Sequence, residues 1–89
     1  MNTAKKQNLA KSVAYALRYL REAQESLEEA SGILQEELEQ LYIGRLLTHK
    51  KGASDEMFDI GEDKRLFQHI SENLNDYIEK IDNIANKYE

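Results

Sequence analysis

Apolar residues recur every seven positions through most of this chain, and no proline interrupts them. In the first half these residues form a leucine row, made of Val13, Leu20, Leu27, Leu34 and Leu41. In the second half they form an isoleucine row, made of Ile60, Phe67, Leu74, Ile81 and Tyr88. Because side chains seven residues apart lie on one side of an α-helix, the spacing predicts two long amphipathic helices that pack side by side.

Each row is accompanied by a second row three residues further along the chain. In the first half this is an alanine row, made of Ala16, Ala23 and Ala30. In the second half it is a tyrosine row, made of Ile70, Tyr77 and Ile84. Small side chains opposite large ones let two helices approach closely while the space between them is filled. We therefore expect the alanine row to pack against the second helix of the same chain.

The predicted helices span residues 3–48 and 60–88 of an 89-residue chain. Gly52 ends the first helical region in this prediction, and Lys50 and Lys51 before it suit a helix C-terminus. Asp59 and Glu62 have the spacing of a capping box, which predicts that Asp59 is the N-cap residue of the second helix. The fold class is all-α, a single-domain antiparallel helical hairpin over residues 1–89.

The predicted hairpin has helices of unequal length. If the chain reverses within residues 52–55, Tyr88 lies near Tyr19, and residues 9–17 lack a partner within the chain. About 25 Å of amphipathic helix would then project beyond the hairpin. We expect a second hairpin to cover it, which gives a four-helix bundle dimer. The alternative is a three-helix bundle, with the first helix broken at Ser31-Gly32.

Tyrosine and arginine are enriched at the residues that dominate protein interfaces. Tyr15, Arg18 and Tyr19 lie together on the predicted projecting segment. Met57 and Phe58 are apolar residues of the predicted connection, where they either cover the open end of the bundle or dock a partner. The predicted protein-interaction residues are Leu9, Val13, Tyr15, Leu17, Arg18, Tyr19, Met57 and Phe58.

No residue pattern is typical of catalysis or of metal binding. Cysteine is absent, and His49 and His69 do not stand in an HExxH motif. His69 and Glu72 form a single His-x-x-Glu element, whereas carboxylate-bridged iron bundles use two Glu-x-x-His elements. Glu37 and Asp63 occupy the spacing of core positions, where we expect them to turn to solvent or to meet a cation. We therefore expect no enzymatic activity, no cofactor and no metal site.

The charge pattern and the apolar pattern bear on location. The net charge is -5, and residues 22–39 contain seven glutamates and no basic residue. No apolar run reaches the roughly 18 residues that a membrane span requires. The lysines near the N-terminus are not followed by an apolar block, so we expect no cleavable signal peptide. These features predict a cytoplasmic protein without a membrane partner.

Three functional classes fit these observations. The first is a small non-enzymatic adaptor, regulator or chaperone-like module that binds a second copy of itself as a homodimer, or another helical protein. The second is a secreted WXG100-like hairpin of a type VII system. Length and architecture suit this class, but tryptophan is absent. The tail also lacks a Tyr-x-x-x-Asp/Glu pattern, because Ile81 stands four residues after Tyr77. The third is a nucleic-acid-binding hairpin dimer, which the net acidity and the lack of a basic stripe argue against.

Overall fold

The computed structural model describes residues 1–48 and 53–88. Helix α1 spans Thr3–Thr48 and helix α2 spans Ala53–Tyr88. The two helices pack antiparallel in a particle 68 Å long and 14 by 13 Å across. A straight helix of 46 residues is about 69 Å long. Helix α1 therefore runs the whole length of the molecule, and the predicted all-α hairpin is confirmed.

Helix α1 is continuous through Ser31 and Gly32, so the three-helix alternative is wrong. A glycine inside a helix costs only about 1 kcal/mol relative to alanine, and the long packed face of α1 readily offsets it. At the N-terminus Asn2 acts as the N-cap residue, because its Oδ1 accepts a hydrogen bond from the Lys5 backbone N–H at 2.8 Å. The bounds of α1 agree with the predicted helix over residues 3–48.

Helix α2 begins at Ala53, and the predicted start at Asp59 is wrong. Asp55 and Glu56 lie in its first turn, where negative charge interacts favourably with the helix dipole. Met57 and Phe58 consequently belong to the helix rather than to a connection. The predictions for His49, Lys50, Lys51 and Gly52 lie outside the described residues.

The surface between the helices contains the leucine row and the isoleucine row, as predicted, and every member is half-buried. Each row is joined there by an inner row. The inner row of α1 is made of Ala10, Leu17, Gln24, Ser31 and Leu38. The inner row of α2 is made of Met57, Lys64, Ser71, Ile78 and Ala85. The four rows follow the seven-residue spacing of coiled-coil packing.

The alanine row does not receive the second helix, so that prediction is wrong. Ala16 and Ala23 are exposed, and the tyrosine row is exposed as well. On each helix the inner row lies on one side of the leucine or isoleucine row. The alanine or tyrosine row lies on the other side at a similar angle. The seven-residue spacing alone therefore does not distinguish them.

Side-chain hydrogen bonds between the helices define their register. The Gln24 side-chain amide donates to the Ser71 carbonyl oxygen at 3.0 Å, and Lys64 Nζ donates to Gln35 Oε1. At the far end of the hairpin, Tyr88 and Ala10 line one cleft. Tyr88 therefore does not lie near Tyr19. Residues 9–17 lie alongside α2, and only the first two turns of α1 extend beyond it. The prediction that residues 9–17 project about 25 Å beyond the hairpin is wrong because α2 begins earlier than the sequence indicated.

The core of this hairpin is thin. Leu17 and Ile78 are its buried apolar residues, with 6% and 7% of their surface exposed. Ser31 and Ser71 are equally buried, and no side chain among the described residues is fully enclosed. Every buried polar side-chain atom of the described residues has a hydrogen-bond partner. The hairpin is thus held by a narrow seam, made of the leucine, isoleucine and inner rows, that contains polar as well as apolar side chains.

Candidate protein-interaction surface

Two helices that pack side by side leave two long edges, and here the edges differ in chemistry. The polar edge carries Arg21, Glu28, Gln35, Gln68 and Asn75. A cleft of ≈ 540 Å³ runs along it, with Glu28 and Gln35 on one wall and Gln68 on the other. The Ser71 hydroxyl donates to Glu28 Oε1 across this edge at 3.4 Å. The chain's own polar groups therefore bridge the polar edge.

The apolar edge lies on the opposite side of the seam. It is made of Ala16, Tyr19, Ala23, Ala30, Ile33, Leu66, Ile70, Tyr77 and Ile84. From the hydrogen-bond register we infer that Ala23 lies level with Tyr77. One heptad to either side, the alanine row and the tyrosine row continue level with each other. The predicted juxtaposition of small and large residues thus occurs beside the seam instead of within it.

The large side chains of the apolar edge are open to solvent. Tyr77 is 58% exposed, Ile33 59% and Leu66 54%. Isolated exposed apolar residues are ordinary on protein surfaces, but a contiguous apolar face marks an interaction site. The tyrosine row alone extends over about 21 Å of helix, since its ends are fourteen residues apart. The apolar edge is therefore the strongest candidate site on the described surface.

Charged residues at the two ends of the apolar edge have opposite signs. Toward the chain termini lie the cations Lys5, Lys80 and Lys87. Lys80 Nζ stands 5.8 Å from the centre of the Tyr77 ring, within the range of a cation–π contact. Toward the connection between the helices lie the anions Glu37, Asp59 and Asp63. All six side chains are exposed, so the edge presents a charge dipole along its length.

A second exposed apolar group, the connection patch, lies near the ends of the helices that the connection joins. It is made of Tyr42, Ile43, Leu46 and Phe58. Phe58 is 61% exposed and does not cover the end of the hairpin, whereas its neighbour Met57 is half-buried in the seam. Of the two alternatives considered for these residues, the exposure of Phe58 leaves docking of a partner open, and Met57 packs within the hairpin.

The structure separates the other predicted interaction residues. Leu17 is buried and Val13 is half-buried, so both belong to the seam between the helices, and the expectation that they lack an intrachain partner is wrong. Leu9 is also half-buried, but it lies seven residues before Ala16 and therefore continues the alanine row. Tyr15 and Tyr19 are 49% and 65% exposed, with Tyr19 on the apolar edge and Tyr15 on the neighbouring outer face.

Arg18 is exposed and points along its own helix, where its Nε donates to Glu22 Oε1 at 3.3 Å. Sequence reasoning missed the contribution of α2 to the exposed surface. The signal was present in the seven-residue spacing of the tyrosine row, but that row was assigned to the interior.

Groups suited to catalysis are not brought together in the described structure. Glu37 and Asp63 are exposed, and His69 lies on the surface of α2 with its Nε2 3.2 Å from Asn73 Nδ2. Residues 1–48 and 53–88 contain no cluster of three or more side chains that could hold a metal ion. Neither described helix combines the length and the apolar character that crossing a membrane requires.

Comparison of the chain with protein-family models, with curated proteins and with solved structures returned no match.

Proposed function

We propose that this chain acts by binding another helical protein through its apolar edge. One observation carries the proposal, namely that the hairpin packs its more polar flanks together and leaves its more apolar flanks outside. Gln24 and Ser31 of α1 meet α2 in the seam, and Lys64 and Ser71 of α2 meet α1. The tyrosine row and most of the alanine row, which lie on the other side of the same leucine and isoleucine rows, remain exposed, and Ala30 is half-buried.

Free energy explains why this arrangement favours a partner. Full burial of one isoleucine or similar side chain stabilises a protein by about 1.5–3 kcal/mol. An isolated hairpin would gain most by turning the tyrosine row inward and its lysine and serines outward. The observed choice leaves that gain to a second molecule. Each helix moreover carries apolar side chains beyond the surface that packs against the other helix, which is typical of helices in bundles rather than of two-stranded pairs.

The proposed activity is binding itself, in the manner of an adaptor, a regulator or a chaperone-like module. The apolar character of the exposed edge favours a protein partner over nucleic acid, because phosphate backbones are bound by closely spaced cations. No observation specifically favours a secreted type VII hairpin. The cytoplasmic location and the lack of enzymatic activity stay predictions.

Site-specific photo-crosslinking in the native cells tests this proposal. A benzophenone amino acid replaces Tyr77 on the apolar edge, and in a matched variant it replaces Gln68 on the polar edge. Both positions are exposed on α2. We expect covalent adducts from position 77 and few or none from position 68. Equal yields at the two positions, or no adduct from position 77, would contradict the proposal.

A further inference from the structure

We propose that the apolar edge binds a second copy of this chain, docked antiparallel so that the connection end of each hairpin lies beside the terminal end of the other. This inference rests on the proposed function and names its partner. A twofold axis that crosses the edge near Ala23 and Tyr77 then pairs α1 with α1 and α2 with α2. The product is a four-helix bundle in which all neighbouring helices run antiparallel.

Charge complementarity selects the second copy and its direction. On α2, Lys87 lies about 15 Å from the level of Tyr77 toward the termini, and Asp63 lies about 21 Å away toward the connection. In the antiparallel dimer Lys87 of one copy therefore comes within about one helical turn of Asp63 of the other. A lysine side chain spans that offset.

Helix α1 repeats this match. Lys5 lies about 27 Å from the level of Ala23 toward the termini, and Glu37 lies about 21 Å away toward the connection. Both helices of the apolar edge thus place a lysine of one copy near an acidic residue of the other. Docking in the parallel direction would instead place Glu37 of one copy level with Asp63 of the other, anion against anion. Like charges placed opposite each other across an interface disfavour that arrangement.

The size of the edge also suits a stable dimer. Specific interfaces bury roughly 800 Å² on each partner. The apolar edge together with the polar and charged side chains that continue its face along the 68 Å hairpin can supply an area of that order. Because the same face is used by both copies, the assembly closes at two chains and leaves no further apolar edge open.

The mass of the purified chain is the first test. Light scattering after size exclusion at micromolar concentration should give twice the chain mass of 10.3 kDa. A mass of 10.3 kDa at that concentration overturns the inference. If the monomeric chain still forms adducts with a different protein from position 77, the proposed function stands and only this inference fails. If position 77 gives no adduct, both fail.

Charge reversal tests the pairing of specific residues. Asp63→Lys should weaken dimerisation at least tenfold, and Lys87→Asp should do the same. The double variant should restore dimerisation to near the original level. Because residues 63 and 87 are about 36 Å apart within one helix, such a rescue requires contact between two copies. Single variants that dimerise as tightly as the original chain would overturn the pairing.

Spin-label distances test the direction of docking. The chain lacks cysteine, so Ser26→Cys and Ser12→Cys each introduce one labelling site on the exposed flank of α1. In the antiparallel dimer the position 26 labels lie near the twofold axis and close together. The position 12 labels are separated by about 33 Å along the direction of the helices. Equal distances at the two positions would indicate parallel docking and overturn the inference.

Discussion

The polar and apolar edges belong to the same two helices, yet the chain closes one and leaves the other open. On the polar edge, Gln35 and Lys64 bond to each other, and so do Glu28 and Ser71. On the apolar edge, side chains as large as Tyr77 and Ile33 stand in solvent. The interface that a chain makes within itself therefore need not be the most apolar interface that its sequence allows.

The polar seam has a further physical consequence. An apolar seam tolerates a shift of one heptad, because leucine replaces leucine at each contact. A half-buried amide or ammonium group that must find a partner tolerates it poorly. Gln24 bonds to α2 and Lys64 bonds to α1, and these two hydrogen bonds therefore favour a single register. We interpret the seam as the part of the sequence that specifies the hairpin, and the apolar edge as the part that supplies affinity for a partner.

The largest expected contrast compares two isoleucines of α2. Ile78 is buried in the seam, whereas Ile84 is 49% exposed on the apolar edge. Ile78→Ala should lower the free energy of unfolding by about 2–4 kcal/mol, because it leaves a cavity in a thin core. Ile84→Ala should lower it by less than about 1 kcal/mol when association is suppressed by dilution. Thermal unfolding followed by circular dichroism at low protein concentration measures both, and equal losses would remove the distinction between seam and edge.

Association should respond in the opposite way to two further substitutions. Tyr77→Ala on the apolar edge should weaken self-association at least tenfold, because interface tyrosines contribute on the order of 1–2 kcal/mol or more. Asn75→Ala, two residues away on the polar edge, should leave association within about twofold. Sedimentation equilibrium gives both constants. A larger effect from Asn75→Ala than from Tyr77→Ala would mean that the partner binds the polar edge.

The polar seam predicts a smaller effect at Gln24. Gln24→Ala removes the 3.0 Å hydrogen bond to the Ser71 carbonyl oxygen and should lower the free energy of unfolding by about 1 kcal/mol. Glu25→Ala is the matched control, since Glu25 is exposed and should change stability by less than about 0.5 kcal/mol. Chemical denaturation of the two variants decides the matter. If they unfold alike, the Gln24 bond does not stabilise the seam.

The smallest expected effect is a gain at Gly32. A Cβ atom added there would meet no atom within 4 Å, so Gly32→Ala fits without strain. We expect stability to rise by about 0.5–1 kcal/mol, because alanine has the higher helix propensity. Dimerisation should be unchanged, since Gly32 lines the polar-edge cleft. Chemical denaturation at several protein concentrations measures both the stability and the self-association of this variant. A loss of self-association would place the partner in that cleft.

The fold followed from the sequence because two physical signals agreed over long stretches. The seven-residue spacing of the leucine and isoleucine rows and the absence of proline sufficed to predict α1 to its ends and α2 to its C-terminus. Local signals near the connection were less informative. Asp59 and Glu62 have capping-box spacing, but half-buried Met57 already packs in the seam before them, and burial outweighed the local preference.

The candidate site was only partly predictable, for a different reason. A helical row can be flanked on either side, and hydrophobicity favours the more apolar flank as the interior. That reasoning placed the tyrosine row inside, whereas the structure leaves it exposed and packs Ser71 and Lys64 against the other helix. The decision depends on hydrogen bonds such as those of Gln24 and Gln35, which join residues far apart in the chain. Tyr19 was named as an interaction residue on a predicted projecting segment, whereas the structure places it on the apolar edge beside α2.

The pairing of Ala10 with Tyr88 has a consequence for the order in which the two ends of the hairpin open and close. Residues next to the connection meet partners only a short distance along the chain, so bringing them together costs little loop-closure entropy. Ala10 meets a partner 78 residues away, and helix ends are where local unfolding begins. We therefore expect the terminal end of the hairpin to exchange its amide protons faster than the connection end.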